Sequence, residues 1–213
     1  MRVKNLAELE KLLAQKRNAP ARQEVVTSKP VAASQSNGQA VSPQMRIIGL
    51  DVALRCTGWG IIDTRSNPFR QTAVDSGVIK NTDKQPISDC LRHLAAATRE
   101  LIALYKPNIA VLEGGFYCQN VHTAISLGAA RGAVIATLAE AGIPVYEYAP
   151  RKVKQAICGF GNASKQQVAL LVSQFLHIQV DKISNDSTDA LAMALTHAQM
   201  MSIANGLNPP QPI

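Results

Sequence analysis

From Met45 onward the apolar positions fall into short blocks separated by turn residues, and the period of those blocks changes along the chain. Residues 46–51, Arg-Ile-Ile-Gly-Leu-Asp, make an apolar run of strand length that ends on a carboxylate. A second run over 58–63 follows so closely that a tight turn joins the two, helped by Gly58 and Gly60. Residues 72–80 read as a third strand. Then the period lengthens. Ile87, Leu91, Leu94, Thr98, Leu101, Ile102 and Tyr105 keep the three-and-four spacing of a helix with one buried face, and Pro107 stops it. Residues 108–116 are expected as a strand closing on Glu113 and a Gly-Gly turn. A helix over 119–141 and a strand over 143–148 come next, then helices around 150–158, 164–177 and 186–204. A β-meander followed by alternating helices and strands predicts one α/β domain, a mixed β-sheet flanked by helices.

The two ends differ from this. Residues 4–17 place Leu6, Leu9, Leu12 and Leu13 at helical spacing. From Asn18 to Gln44 no hydrophobic period survives, and Ala, Ser, Pro, Gln and Asn dominate. Residues 1–44 are therefore expected as a basic, largely disordered leader with a short helix at 4–17. It has no apolar core of a signal peptide. The domain proper is expected to span 45–204, with 205–213 a flexible, proline-rich tail.

Composition narrows the class. Hydrophobic residues make up 46% of the 213, enough for a core, and only 4% are aromatic, so packing is mostly aliphatic. No window approaches the length of continuous apolar sequence that a membrane span needs. Cys56, Cys90, Cys118 and Cys158 lie far apart and form no Cys-x-x-Cys pair. That speaks against structural zinc and a disulfide framework and makes a reducing cytoplasm the expected location. The net charge of +7 favours a polyanionic partner. Residues 1–44 carry +4 of it, with seven lysines and arginines against Glu8, Glu10 and Glu24.

Candidate chemistry lies at the strand ends. Ligands of α/β sheets gather at the carboxyl ends of strands, where Asp51 and Glu113 both fall. A lone carboxylate there is as readily a turn former or a helix cap. Asp186 and Asp189 are three apart at the start of the last helix and so share a face. Capping would account for one of them; two at a buried helix mouth repel each other. Four carboxylates in one cleft of a basic chain would be relieved by divalent cations, and Mg²⁺ prefers such hard oxygen ligands. Paired metals roughly 3.5–4 Å apart serve many nucleases.

Several ordered stretches resemble the RuvC family of Holliday-junction resolvases, members of the RNase H-like superfamily. They are Gly-Leu-Asp-Val-Ala-Leu-Arg-Cys-Thr-Gly-Trp-Gly (49–60), residues 110–120, 127–136, 145–168 and 186–197, which together cover about 45–200. The resemblance implies an RNase H-like fold in which Asp51, Glu113, Asp186 and Asp189 are the metal-binding catalytic acids. Phe116 falls where the family has an aromatic at the branch point, and Lys154 and Lys165 where it has lysines near the scissile strand. Arg151 belongs to the same basic stretch and is a further candidate DNA contact. Two Mg²⁺ per site are implied, with Mn²⁺ able to substitute, and hydrolysis leaving a 5′-phosphate and a 3′-hydroxyl. The implied partners are four-way junction DNA, a second copy of the chain and a branch-migration motor, in a cytoplasmic, nucleoid-associated setting.

The chain also departs from the family. Relatives commonly have Pro-Gly after the first aspartate, where Val52-Ala53 stand here. Glycine often supplies a positive φ, so an altered turn is the expectation. Trp59 occupies a usual tyrosine position, and the leader is not typical. Among other residues, Arg131 is expected to pack inside a small-residue helix rather than touch DNA, and that helix is the candidate subunit interface. His197 is expected in the core. Two alternatives differ in class: an actin-like ATPase, and a junction-binding protein that has lost cleavage.

Overall fold

The computed structural model describes residues 45–66, 69–114, 120–179, 183–204 and 210–213. The leader with its helix at 4–17, Phe116 and residues 205–209 lie outside them. Five strands form one sheet: β1 (Met45–Asp51), β2 (Cys56–Ser66), β3 (Phe69–Lys80), β4 (Ile109–Glu113) and β5 (Val145–Tyr148). Five helices follow the expected order: α1 (Ile87–Tyr105), α2 (Val121–Glu140), α3 (Pro150–Cys158), α4 (Lys165–Leu176) and α5 (Asn185–Ala204). The sheet order is β3-β2-β1-β4-β5, antiparallel across the meander and parallel from β1 through β4 to β5.

Strand alternation divides the core in two. Ile48, Leu50, Trp59 and Ile61 face one side, packed against Leu94, Ala97 and Leu101 of α1 and Ala130, Val134 and Leu138 of α2. Ile47, Ile62, Ile109 and Val111 face the other, against α3, α4 and the buried run Ala190–Leu195 of α5. The start of α4 is a full capping box: Ser164 Oγ accepts from the Gln167 amide while the Gln167 side chain accepts from the Ser164 amide.

α5 lies directly on β1 and β2 because glycine lets it. A Cβ at Gly49 would sit 1.9 Å from the Ala190 carbonyl oxygen, and one at Gly58 would sit 2.0 Å from that of Asp186. No other residue permits helix backbone to touch strand backbone at these two points. The contact sets the site, since it fixes the first turn of α5 over the carboxyl end of β1.

α2 is different in character. It is the one described helix with the length and apolar composition to cross a bilayer, its richest window having a mean hydropathy of 1.3. Its inner face is buried against α1 and the sheet, while Val121 and Ile125 are 72% and 65% exposed.

Candidate active site

Register places the acids. In β1, Ile47, Gly49 and Asp51 point toward α5, and in β4 Ile109, Val111 and Glu113 do the same. Leu50 lies beside Leu112 in the parallel ladder, so Asp51 and Glu113 leave the carboxyl ends of two neighbouring strands on one face. α5 brings Asp189 to them from above. Asp51, Glu113 and Asp189 line one cavity of about 290 Å³, with Lys154 of α3 and Lys165 of α4 in its wall and Val153, Val168 and Met193 among its apolar lining.

Like charges dominate the electrostatics. The Asp51 carboxyl is pushed up to about 7, first by burial and then by the charges of Asp189, Glu113 and Asp186, with Lys165 opposing. Glu113 is raised as well, by burial and then by Asp189, against the pull of Lys165, Arg131 and Lys154. Lys165 Nζ lies 3.2 Å from Asp189 Oδ2, and that neighbour holds its ammonium above the ordinary lysine range. Asp186 stands to the side and accepts a hydrogen bond from the Cys56 thiol at 2.9 Å. Burial, reinforced by that carboxylate, pushes Cys56 up to about 11, so it stays a donor. Four carboxylates thus share one electrostatic neighbourhood with two lysines.

That donor set fits a hard divalent cation: carboxylate oxygens only, an opening to solvent, and a repulsion that two ammonium groups leave uncompensated. Among the described residues no three His, Cys, Asp or Glu side chains already close on a common point. The acids surround a cavity; they do not form a finished cage.

Other expected residues divide. Lys154 and Lys165 line the cavity, whereas Arg151 does not; its side chain runs along Gly161, where a Cβ would meet its Cγ at 2.5 Å. Phe116 is outside the described residues. His197 is fully buried, with Nδ1 2.9 Å from the Tyr148 hydroxyl, and burial pushes it down to about 4. The Val52-Ala53 turn needs no glycine. Lys106 and His177 are the described non-glycine residues with positive φ, and Ala53 is not among them. The turn closes through Thr57, whose Oγ1 accepts from the Ala53 amide at 3.1 Å and donates to the Ala53 carbonyl at 2.7 Å. Asn81 Nδ2 holds the next carbonyl, that of Leu54, at 2.7 Å. Two features escaped the sequence reading. One is the Cys56–Asp186 contact. The other is an ion pair between Arg131 and Glu147 whose guanidinium also donates to the Glu113 carbonyl; an arginine inside an apolar helix was its one visible trace.

Comparison with known proteins decides among the alternatives. The family model described as crossover junction endodeoxyribonuclease RuvC matches residues 47–197. The chain belongs to the RuvC family. A crossover junction endodeoxyribonuclease RuvC of Roseiflexus is 40% identical over 152 residues, 71% of this chain and 89% of that protein. One from Protochlamydia amoebophila is 36% identical over 160 residues, 75% and 94% of the two chains. The Thermus thermophilus RuvC structure superposes with a TM-score of 0.71 at 29% identity, over 79% of this chain and all of that one. The same Thermus protein in complex with a Holliday junction substrate gives 0.70. RuvC membership makes the chain a metal-dependent nuclease with an RNase H-like fold. Neither the actin-like ATPase nor the non-cleaving alternative is favoured.

Proposed function

We propose that this chain resolves four-way DNA junctions by symmetric nicks, with Asp51, Glu113, Asp186 and Asp189 holding two Mg²⁺ ions. The observation that carries this is the meeting of Asp51, Glu113 and Asp189 on one cavity, with the charge of Asp186 reaching Asp51. When bound, the ions supply a water acidic enough to attack a phosphodiester and neutralise charge on the leaving oxygen. The remaining work belongs to the chain. Lys154 and Lys165 attract and align the backbone phosphate at the cavity wall. Val153, Val168 and Met193 give the cavity an apolar wall that strengthens the charge interactions beside it. Products with a 5′-phosphate and a 3′-hydroxyl follow, and Mn²⁺, which shares the preference for oxygen ligands, is expected to replace Mg²⁺.

A junction has a two-fold axis, so a C₂ homodimer presents two equivalent sites to its two like strands. α2 supports that assembly. Val121, Ile125, Gly128 and Gly132 fall at i, i+4, i+7 and i+11 and are all exposed, an apolar stripe narrow enough for a second helix to approach. Phe116 at the branch point, Arg151 as a backbone contact, a branch-migration motor and a cytoplasmic location complete the proposal.

The test is a synthetic four-way junction incubated with and without Mg²⁺. Paired nicks that require the metal and vanish in Asp51→Asn uphold the assignment; tight binding without nicks in the wild type overturns it.

A further inference from the structure

We propose that Arg131 is a positioning residue for Glu113, holding the end of β4 from the sheet face opposite the cavity. This rests on the metal-binding role proposed above for Glu113. Arg131 lies in α2 between Ala130 and Gly132 and is only 8% exposed. A buried guanidinium is costly unless its hydrogen bonds are met. Here one arm donates to the Glu113 backbone carbonyl and the other to the Glu147 carboxylate.

The topology explains why the strand needs such a hold. Glu147 pairs with Leu112 in the β4–β5 ladder, and both face α2, while Glu113 faces the cavity. The β1–β4 ladder stops at Leu50 and Leu112, so Glu113 has β5 beside it and no partner from β1. Beyond that pairing with Tyr148, contacts to Glu113 and to Gly114 after it hold the end of the strand. Arg131 holds the carbonyl, the Gly114 amide donates to the Tyr148 carbonyl at 2.9 Å, and Glu147 lies across Gly114, where a Cβ would come 3.0 Å from the Glu147 Cβ. Satisfied in this way, the guanidinium bridges β5 and the end of β4 instead of closing on Glu147 alone. The second arm ties the guanidinium to the residue whose carboxylate must meet the ion.

Metal binding reads this directly. Wild type, Arg131→Met, Arg131→Lys and Glu147→Gln are compared by calorimetric Mn²⁺ titration, thermal unfolding, junction affinity in Ca²⁺ and single-turnover nicking. Supporting groups behind metal ligands typically contribute about 10–100-fold in affinity, so folded Arg131→Met should lose roughly 10-fold in Mn²⁺ affinity with junction affinity unchanged. Nicking should fall in step and recover partly at high metal. Arg131→Lys keeps the charge but cannot fork to both oxygens, so its loss should be smaller. Glu147→Gln keeps an acceptor and should bind Mn²⁺ nearly as the wild type does. A folded Arg131→Met or Arg131→Lys protein with wild-type Mn²⁺ affinity sinks the proposal. So does failure of both to fold, which would assign the ion pair to stability. Asp51→Asn run alongside separates the two levels: nicking that survives it removes the active-site assignment itself, whatever Arg131 does.

Discussion

At the scale of single residues, Asp51 is a carboxylate whose ionisation is opposed by burial and by three like charges. Its folded value near 7 stands above the ordinary 3.8, so between those limits the folded state holds more protons than the unfolded chain. Stability contributed by this group is therefore complete below about pH 4 and is lost as pH rises toward 7. Asp51→Asn removes the repulsion and keeps the shape. In metal-free buffer at pH 8 it should unfold roughly 2–8 °C higher than the wild type, taking about 1–2 kcal/mol after solvent screening. The gap should close at pH 4, and calorimetry at the two pH values reads it; an equal gap at both would mean the gain is not electrostatic. Saturating Mg²⁺ should stabilise the wild type more than the variant if Asp51 is the ligand proposed above. Ala53 gives the complementary case. Its φ is not positive, so Ala53→Gly has no strain to relieve and should destabilise by about 0.4–1 kcal/mol through the unfolded chain. Its nicking rate should equal that of the wild type; a faster rate would show that the family's usual glycine matters for chemistry.

Among elements, the seat of α5 on β1 and β2 is what joins two acids from strand ends to two from a helix. Gly49→Ala tests it, since a Cβ 1.9 Å from the Ala190 carbonyl oxygen forces helix and sheet apart. Overpacking commonly costs about 1–3 kcal/mol, and a backbone clash belongs at the upper end. Urea unfolding should show about 3 kcal/mol lost, and the folded fraction should nick far more slowly than that fraction explains. Normal nicking per folded molecule would show that the acids do not depend on this contact. The elements themselves are legible in the sequence. The periodicity of Ile87 to Tyr105 and the Pro150–Cys158 segment gave helices with the observed bounds, because spacing and terminators are local properties. Asp51 and Glu113 were readable as a pair because both end apolar runs. Partners across the fold were not legible. Gly49 and Gly58 advertise a close approach without naming α5, and nothing in Val145–Tyr148 announces that Glu147 meets Arg131. The closure of the Val52-Ala53 turn was not legible either, since Thr57 makes it by side-chain bonds that spacing alone does not reveal.

For the whole molecule, symmetry becomes the governing quantity, because one cavity cuts one strand while resolution requires two. The exposed stripe of α2 is where the copies are proposed to meet, and Ile125 near its start is 65% exposed. An aspartate there would leave the inner face of α2 untouched, because that face is formed by Ala130, Val134 and Leu138 on the other side. Ile125→Asp should therefore fold with an unchanged unfolding temperature yet sediment as a monomer where the wild type sediments as a dimer. A cruciform plasmid then separates assembly from chemistry. Paired cuts within one binding event linearise it, whereas single cuts leave a nicked circle. On the proposed assembly the wild type should give mostly linear product, and Ile125→Asp mostly nicked circles, since each monomer retains Asp51, Glu113, Asp186 and Asp189 but engages one strand at a time. Linear product from a protein shown to be monomeric would refute the symmetric arrangement while leaving the site intact.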